Sequence, residues 1–249
     1  MGVNVEFGWQ IAAVLVLLTV AAAVVIGVGR VGSWQHVVTA AARAVGQLAA
    51  VSFVIVLVLR NGWLTAAFVV LMFGIATWTS ARRITKTRHG RWAALSIAGG
   101  VTPILGLLLA TDVVPLEPVA IIPIAGILIG GAMSATSLAG RRALDELVAR
   151  RGEYEAALAL GFTDQDAARL IVRPTASQAL VPLLDQTRTV GLVTLPGTFV
   201  GILLGGGSPL QAGATQLLVL IALLAIEGIA VLVTVELVAG QKLSPASQR

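Results

Sequence analysis

Apolar runs long enough to cross a bilayer recur along the whole chain, parted by short polar breaks. A spanning helix needs roughly 20 mostly apolar residues. Such runs cover residues 9–29, 39–59, 63–80, 93–114, 118–139, 189–206 and 212–239. They predict an all-α, polytopic membrane bundle of about seven transmembrane helices in a single transmembrane domain, residues 1–249. Arg60-Asn61-Gly62 lies between the second and third runs and has the composition of a tight turn, which predicts an antiparallel helical hairpin. Gly and Pro occur inside the runs, as is common in membrane helices. No internal repeat of the kind that builds many secondary transporters is visible.

Composition supports this pattern and closes other classes. Hydrophobic residues make up 57% of the chain and charged residues only 12%, with a mean hydropathy of +0.94. A soluble domain carries about twice that charge. The absence of cysteine excludes disulfide frameworks and thiolate metal sites. A net charge of +5 raises nucleic acid as a partner. The basic residues, however, sit in blocks between apolar runs, and none is interleaved with aromatics that would stack bases. No nucleic-acid partner is expected. The segment MGVNVEFGW lacks a basic n-region and carries Glu6, so the first run reads as a retained span rather than a cleaved signal.

Lysine and arginine placement predicts orientation. With the N-terminus outside, the inner side holds Arg30, Arg43, Arg82, Arg83, Lys86, Arg88, Arg91, Arg141, Arg142, Arg150, Arg151, Arg169, Arg173, Arg188, Lys242 and Arg249. That is 16 of the 17 basic residues, leaving Arg60 outside with Glu6, Asp112 and Glu117. The positive-inside rule therefore predicts an N-out, C-in protein of the cell (plasma or inner) membrane. The block RRITKTRHGR at residues 82–91 reads most simply as a solvated anchor, with a lipid-headgroup or partner contact as the alternative. His36 and His89 lack metal-binding spacing, and neither is assigned a catalytic or metal role.

The polar stretch 140–175 is the one sizeable loop, and the orientation places it in the cytoplasm. Leu144, Leu147, Val148, Tyr154 and Leu158 give an approximate apolar stripe. Gly161 supplies a helix-ending break, and Thr163 with Asp166 fits a capping box that opens a second short helix. The expectation is a helix–turn–helix elbow that ends at Pro174.

This elbow resembles the EAA loop of ABC-transporter permeases. Glu155-Ala156-Ala157 is followed after three residues by Gly161, after nine more by Ile171, and then by Arg173-Pro174. The family's penultimate Leu is replaced by Arg173. The resemblance implies that Glu155, Ala156, Ala157, Gly161, Ile171 and Pro174 form a coupling helix seated in a groove of a cytoplasmic ABC ATPase. The chain has no GxxxxGK[ST] motif, and its lysines are Lys86 and Lys242. ATP hydrolysis is thus expected on the partner, with no catalytic residue and no cofactor on this chain. One such loop on seven spans implies a homodimer of the permease in membrane lipid.

Residues 126–139 (GILIGGAMSATSLA), the elbow, and residues 188–216 (RTVGLVTLPGTFVGILLGGGSPLQAGATQ) further resemble FetB-type metal-export permeases. That group includes bacterial iron exporters and plant permeases linked to aluminium tolerance. The resemblance implies export of a metal ion, iron first. At Gly131, Thr198, Phe199 and Ile202 the chain carries small or apolar residues where that group is more polar.

Within the spans, Thr194, Pro196 and Gly197 predict a break in the sixth, which serves either a substrate path or a packing kink. Gly201 and Gly205 form a GxxxG packing face. Glu227 lies mid-span, so it should face a cavity or a partner, as a cation or proton site or as a carboxyl bonded to a neighbouring helix. Met133, with Ser134, Thr136 and Ser137, is a further candidate for the path. Asp185 and Arg188 are expected to neutralise each other. The leading expectation is an ATP-driven metal exporter. The alternatives are an ABC permease for another cargo, including an importer, and an ion-driven secondary transporter using Glu227.

Overall fold

The computed structural model describes residues 8–244, so Glu6 and Arg249 of the charge argument lie outside the described residues. Among the described residues every regular element is helical: α1 (Trp9–Val28), α2 (Trp34–Val58), α3 (Gly62–Ile84), a 3-10 turn (Arg88–Trp92), α4 (Ala93–Ala110), α5 (Pro118–Ala149), α6 (Arg151–Ala159), α7 (Asp164–Thr189), α8 (Gly197–Leu204) and α9 (Pro209–Ala239). Six helical stretches, at residues 9–28, 34–58, 62–84, 88–110, 118–149 and 209–239, are long and apolar enough to cross a membrane. The chain clusters as two compact units, residues 1–64 and 65–249.

In the first unit α1 packs on α2. The turn between them places Arg30 at a φ of 52° and is closed by the Val31 N–H donating to the Ile26 carbonyl. Leu17, Val25, Phe53 and Leu57 are exposed, which suits a surface bathed in lipid. The expected turn at residues 60–62 forms, and Asn61 Oδ1 accepts from the Trp63 N–H at 2.9 Å, capping α3.

In the second unit α9 is the central post, packed against α4, α5, α7 and α8. One core cluster joins Ile97, Leu128 and Ile226, and a second, towards the other end, joins Ala93, Ala143, Val172 and Leu243. Ser80 Oγ on α3 donates to the Met133 carbonyl of α5 at 3.0 Å and shares a 2.9 Å bond with Ser137 Oγ. Such bonds join helices through small side chains. Ser208 opens α9 with a full capping box to Gln211, and Pro209 sits where its missing N–H costs nothing.

The structure corrects three expectations. Residues 189–206 are not one spanning helix. Residues 190–196 break from helix, with Gly191 at a φ of 80°, and α8 has only eight residues. At 1.5 Å per residue such a helix rises about 12 Å, well short of a bilayer's hydrocarbon core. Pro196 explains the break, because it sits as the N-cap of α8 and has no N–H to extend a helix before it. Next, Pro174 does not end the elbow: α7 runs through it and through Pro182 to Thr189. Burial of Ile171, Val172, Thr175, Ala179 and Leu183 on one face of α7 holds the helix past both prolines. Lastly, α5 extends ten residues beyond its expected end at 139, so the polar stretch begins as a continuation of a spanning helix.

Candidate functional site

The elbow is α6, a short turn and the start of α7. Helix α6 ends where the Gly161 N–H donates to the Leu158 carbonyl at 2.9 Å and the Phe162 N–H to the Ala157 carbonyl at 3.2 Å. This closure needs a left-handed residue, and Gly161 has a φ of +91°. Thr163 caps α7: its Oγ1 accepts from the Asp166 N–H at 3.2 Å, and its hydroxyl donates to Asp166 Oδ2 at 2.7 Å. That bond, together with Arg169 nearby, holds the Asp166 carboxyl below its usual range. The Tyr154 hydroxyl donates to Asp164 Oδ1 at 2.9 Å, tying α6 to α7. Burial and that bond raise the tyrosine above its ordinary value.

The motif residues divide between two roles. Glu155, Ala156 and Gly161 are exposed, and Glu155 pairs with Arg151 at 2.8 Å. Ala157 and Ile171 are buried, so they hold the elbow rather than face outward. Pro174 lies on the exposed side of α7. Sequence reasoning missed the apolar tip: Leu160 is 79% exposed and Phe162 45%, on either side of Gly161. Two large apolar residues flanking a turn glycine were the available signal, since exposed apolar groups at a polar surface mark contact sites.

The elbow is also tied to the central post. Arg169 Nη2 and Nε donate to Glu236 Oε2 on α9 at 2.7 and 2.9 Å, while Arg169 Nη1 reaches Asp166 Oδ1 at 3.1 Å. Arg173 stands 3.6 Å from the other Glu236 oxygen. The bond to Glu236 raises the Arg169 pKa above its ordinary value. Glu236, near the end of α9, therefore latches that helix to α7. Two arginines of one helix grip one carboxylate of another, a geometry that guanidinium forks favour. Replacing Glu236 by glutamine is expected to lower the thermal midpoint in detergent, because it removes the carboxylate that both arginines hold. A Glu236→Asp variant should lower it less.

About 14 Å along α9 from that latch, at 1.5 Å per residue, Glu227 enters a cavity of about 360 Å³ between α5, α7 and α9. Its polar lining comes from Ser134, Gln186 and Glu227. Glu227 is buried, and among the described residues it forms no hydrogen bond or ion pair. Gly131 makes the approach possible, since a Cβ there would stand 2.8 Å from Glu227 Oε1 and 2.5 Å from Leu223 Cδ2. Among the described residues no group of three or more His, Cys, Asp or Glu gathers in one place. A cation in this cavity would rest on one carboxylate and the neutral oxygens of Ser134 and Gln186, a weak hard-ligand set that suits passage more than storage.

The other sequence candidates fall elsewhere. Met133 turns away from the cavity into the first core cluster, one residue and about 100° of helix from Ser134. Thr194, Pro196 and Gly197 do not line the cavity either. Thr194 is exposed, and its carbonyl accepts from the Gly191 N–H at 2.9 Å within the broken segment. Asp185 and Arg188 form an exposed pair at 3.9 Å.

Residues 8–242 match the family described as Uncharacterised protein family (UPF0014). The chain is 35% identical over 195 residues to UPF0014 membrane protein STAR2 of Oryza sativa subsp. japonica, which covers 77% of this chain and 68% of that protein. It is 35% identical over 178 residues to Protein ALUMINUM SENSITIVE 3 of Arabidopsis thaliana, covering 70% and 65%. It is 30% identical over 187 residues to Probable iron export permease protein FetB of Escherichia coli (strain K12), covering 73% and 71%. The chain thus spans about two thirds of the length of the two plant proteins. No solved protein structure matches it.

Proposed function

This multi-pass membrane protein belongs to the UPF0014 family, and from that premise we propose that it is the permease subunit of an ABC transporter that exports a metal cation. Iron is the first cargo to test, because one relative is named a probable iron export permease. ATP is bound and hydrolysed by a separate cytosolic ATPase, and two copies of this chain complete the pathway, with the N-terminus outside and the elbow in the cytosol.

The observation that carries this reading is the elbow: an exposed tip of Glu155, Ala156, Leu160 and Phe162 on a turn gripped to α9 by Arg169 and Glu236. A rigid lever of this kind passes a displacement at its tip to the helix that bears Glu227. Closure of the ATPase pushes the tip, α7 moves with it, and the latch shifts α9 against α5. The cavity at Glu227 then opens to one side or the other. A cation enters against the carboxylate and leaves when the lining moves apart.

Co-purification with candidate ATPases, followed by ATP hydrolysis in lipid vesicles with and without ferrous iron, tests the proposal. Iron-stimulated hydrolysis and ATP-dependent efflux are expected. Transport that proceeds without any ATPase would make this an ion-driven carrier instead. Uptake that requires a substrate-binding protein would make it an importer.

A further inference from the structure

The basic block at residues 82–91 does not behave as a featureless solvated face. It forms one wall of a cavity of about 800 Å³ lined by Phe73, Gly74, Thr77 and Trp78 at one end and by Arg82, Lys86, Arg88 and Arg91 at the other. The apolar end lies on the spanning helix α3, and the cationic end lies at its polar junction with the 3-10 turn. We propose that this groove binds an anionic phospholipid, with its phosphate among Lys86, Arg88 and Arg91 and an acyl chain along the Phe73–Thr77 face.

Four observations converge on a lipid. The groove is amphipathic along its length and sits at a span end, where a headgroup would lie. No carboxylate lines it, and among the described residues none of its four cations enters an ion pair. The groove is held in shape: the Arg82 guanidinium stands 4.5 Å over the Trp78 ring, and the loop carrying Lys86 is pinned by Thr85, whose Oγ1 bonds Thr87 Oγ1 at 3.1 Å and the Ser244 carbonyl at 3.3 Å. Gly90 permits this geometry, since a Cβ there would meet Ala81 Cβ at 2.9 Å. At the apolar end a Cβ on Gly74 would meet nothing within 4 Å, so the wall is open there. A free phosphate would satisfy the cations and leave the apolar half of the groove unused.

The test is native mass spectrometry of the full chain in neutral detergent, titrated with phosphatidylglycerol, phosphatidylcholine or inorganic phosphate. Phosphatidylglycerol is expected to bind selectively. The double variant Lys86→Gln/Arg88→Gln should weaken it about thirtyfold, the sum of two headgroup-level cations. The charge-keeping Lys86→Arg/Arg88→Lys should stay within about threefold of the parent, and Arg141→Gln/Arg188→Gln, which removes equal charge elsewhere, within about twofold. Equal binding of phosphatidylcholine, or an equal loss in the Arg141/Arg188 control, would overturn the proposal as annular lipid or bulk charge. Displacement of the lipid by phosphate at matched concentration would overturn it in favour of a free-anion site, and failure of phosphatidylglycerol to bind would overturn it outright.

Discussion

Gly161→Val is expected to cut ATP-driven transport about tenfold or more while leaving the protein inserted and folded. At a φ of +91° the turn sits where an L side chain costs about 1–2 kcal/mol, and a β-branched one more. A Cβ there would meet nothing within 4 Å, so the penalty is conformational and confined to the turn. The rest of the second unit has no reason to respond, because its buried cores are built from α3, α4, α5, α7 and α9 and not from the turn at Gly161. Asparagine tolerates this region better than valine, so Gly161→Asn should restore much of the loss. Both variants are read by ATP-dependent efflux and by yield in the membrane fraction. Full transport by Gly161→Val would remove the elbow from the mechanism.

Glu227→Gln is expected to raise the metal concentration needed for half-maximal stimulation of ATP hydrolysis by about tenfold to a hundredfold, the worth of one hydrogen bond or contact to a charged group. The amide keeps the shape of the side chain and its place against Gly131, so packing of α5 on α9 should be preserved. Basal hydrolysis by the ATPase should then be unchanged, which separates cargo handling from coupling. Glu227→Asp should fall between the two. Unaltered metal stimulation in Glu227→Gln would return this carboxylate to a structural role.

Much of the fold was legible from the apolar runs, because lipid-facing helices must be apolar over their full length. Helices α1 and α9 begin and end within a few residues of the expected 9–29 and 212–239. The start of helix α7 at the Thr163 cap was legible, but its length was not. It carries Arg169, Arg173, Asp185 and Arg188 away from a narrow buried face, so no window over its second half looks like a span. Its continuation through Pro174 depends on partners on α5 and α9 that local rules do not see.

The same division holds for the site. Gly161 and the Thr163 cap follow from short-range chemistry and could be read directly. The latch between Arg169 and Glu236 joins residues 67 apart, and Gln186 reaches the Glu227 cavity from a different helix. Neither pairing leaves a trace in local spacing. Met133 was drawn into the path by its neighbours Ser134, Thr136 and Ser137, but a single residue's rotation decides which of them meets the cavity.

The chain's lack of cysteine permits the most direct test of the elbow as a cytosolic docking lever. A single Leu160→Cys substitution introduces one thiol at the tip. That thiol should resist a membrane-impermeant maleimide added to intact cells, react with it in inside-out vesicles, and be shielded when the partner ATPase is bound. Labelling of the introduced thiol from outside intact cells would contradict the account.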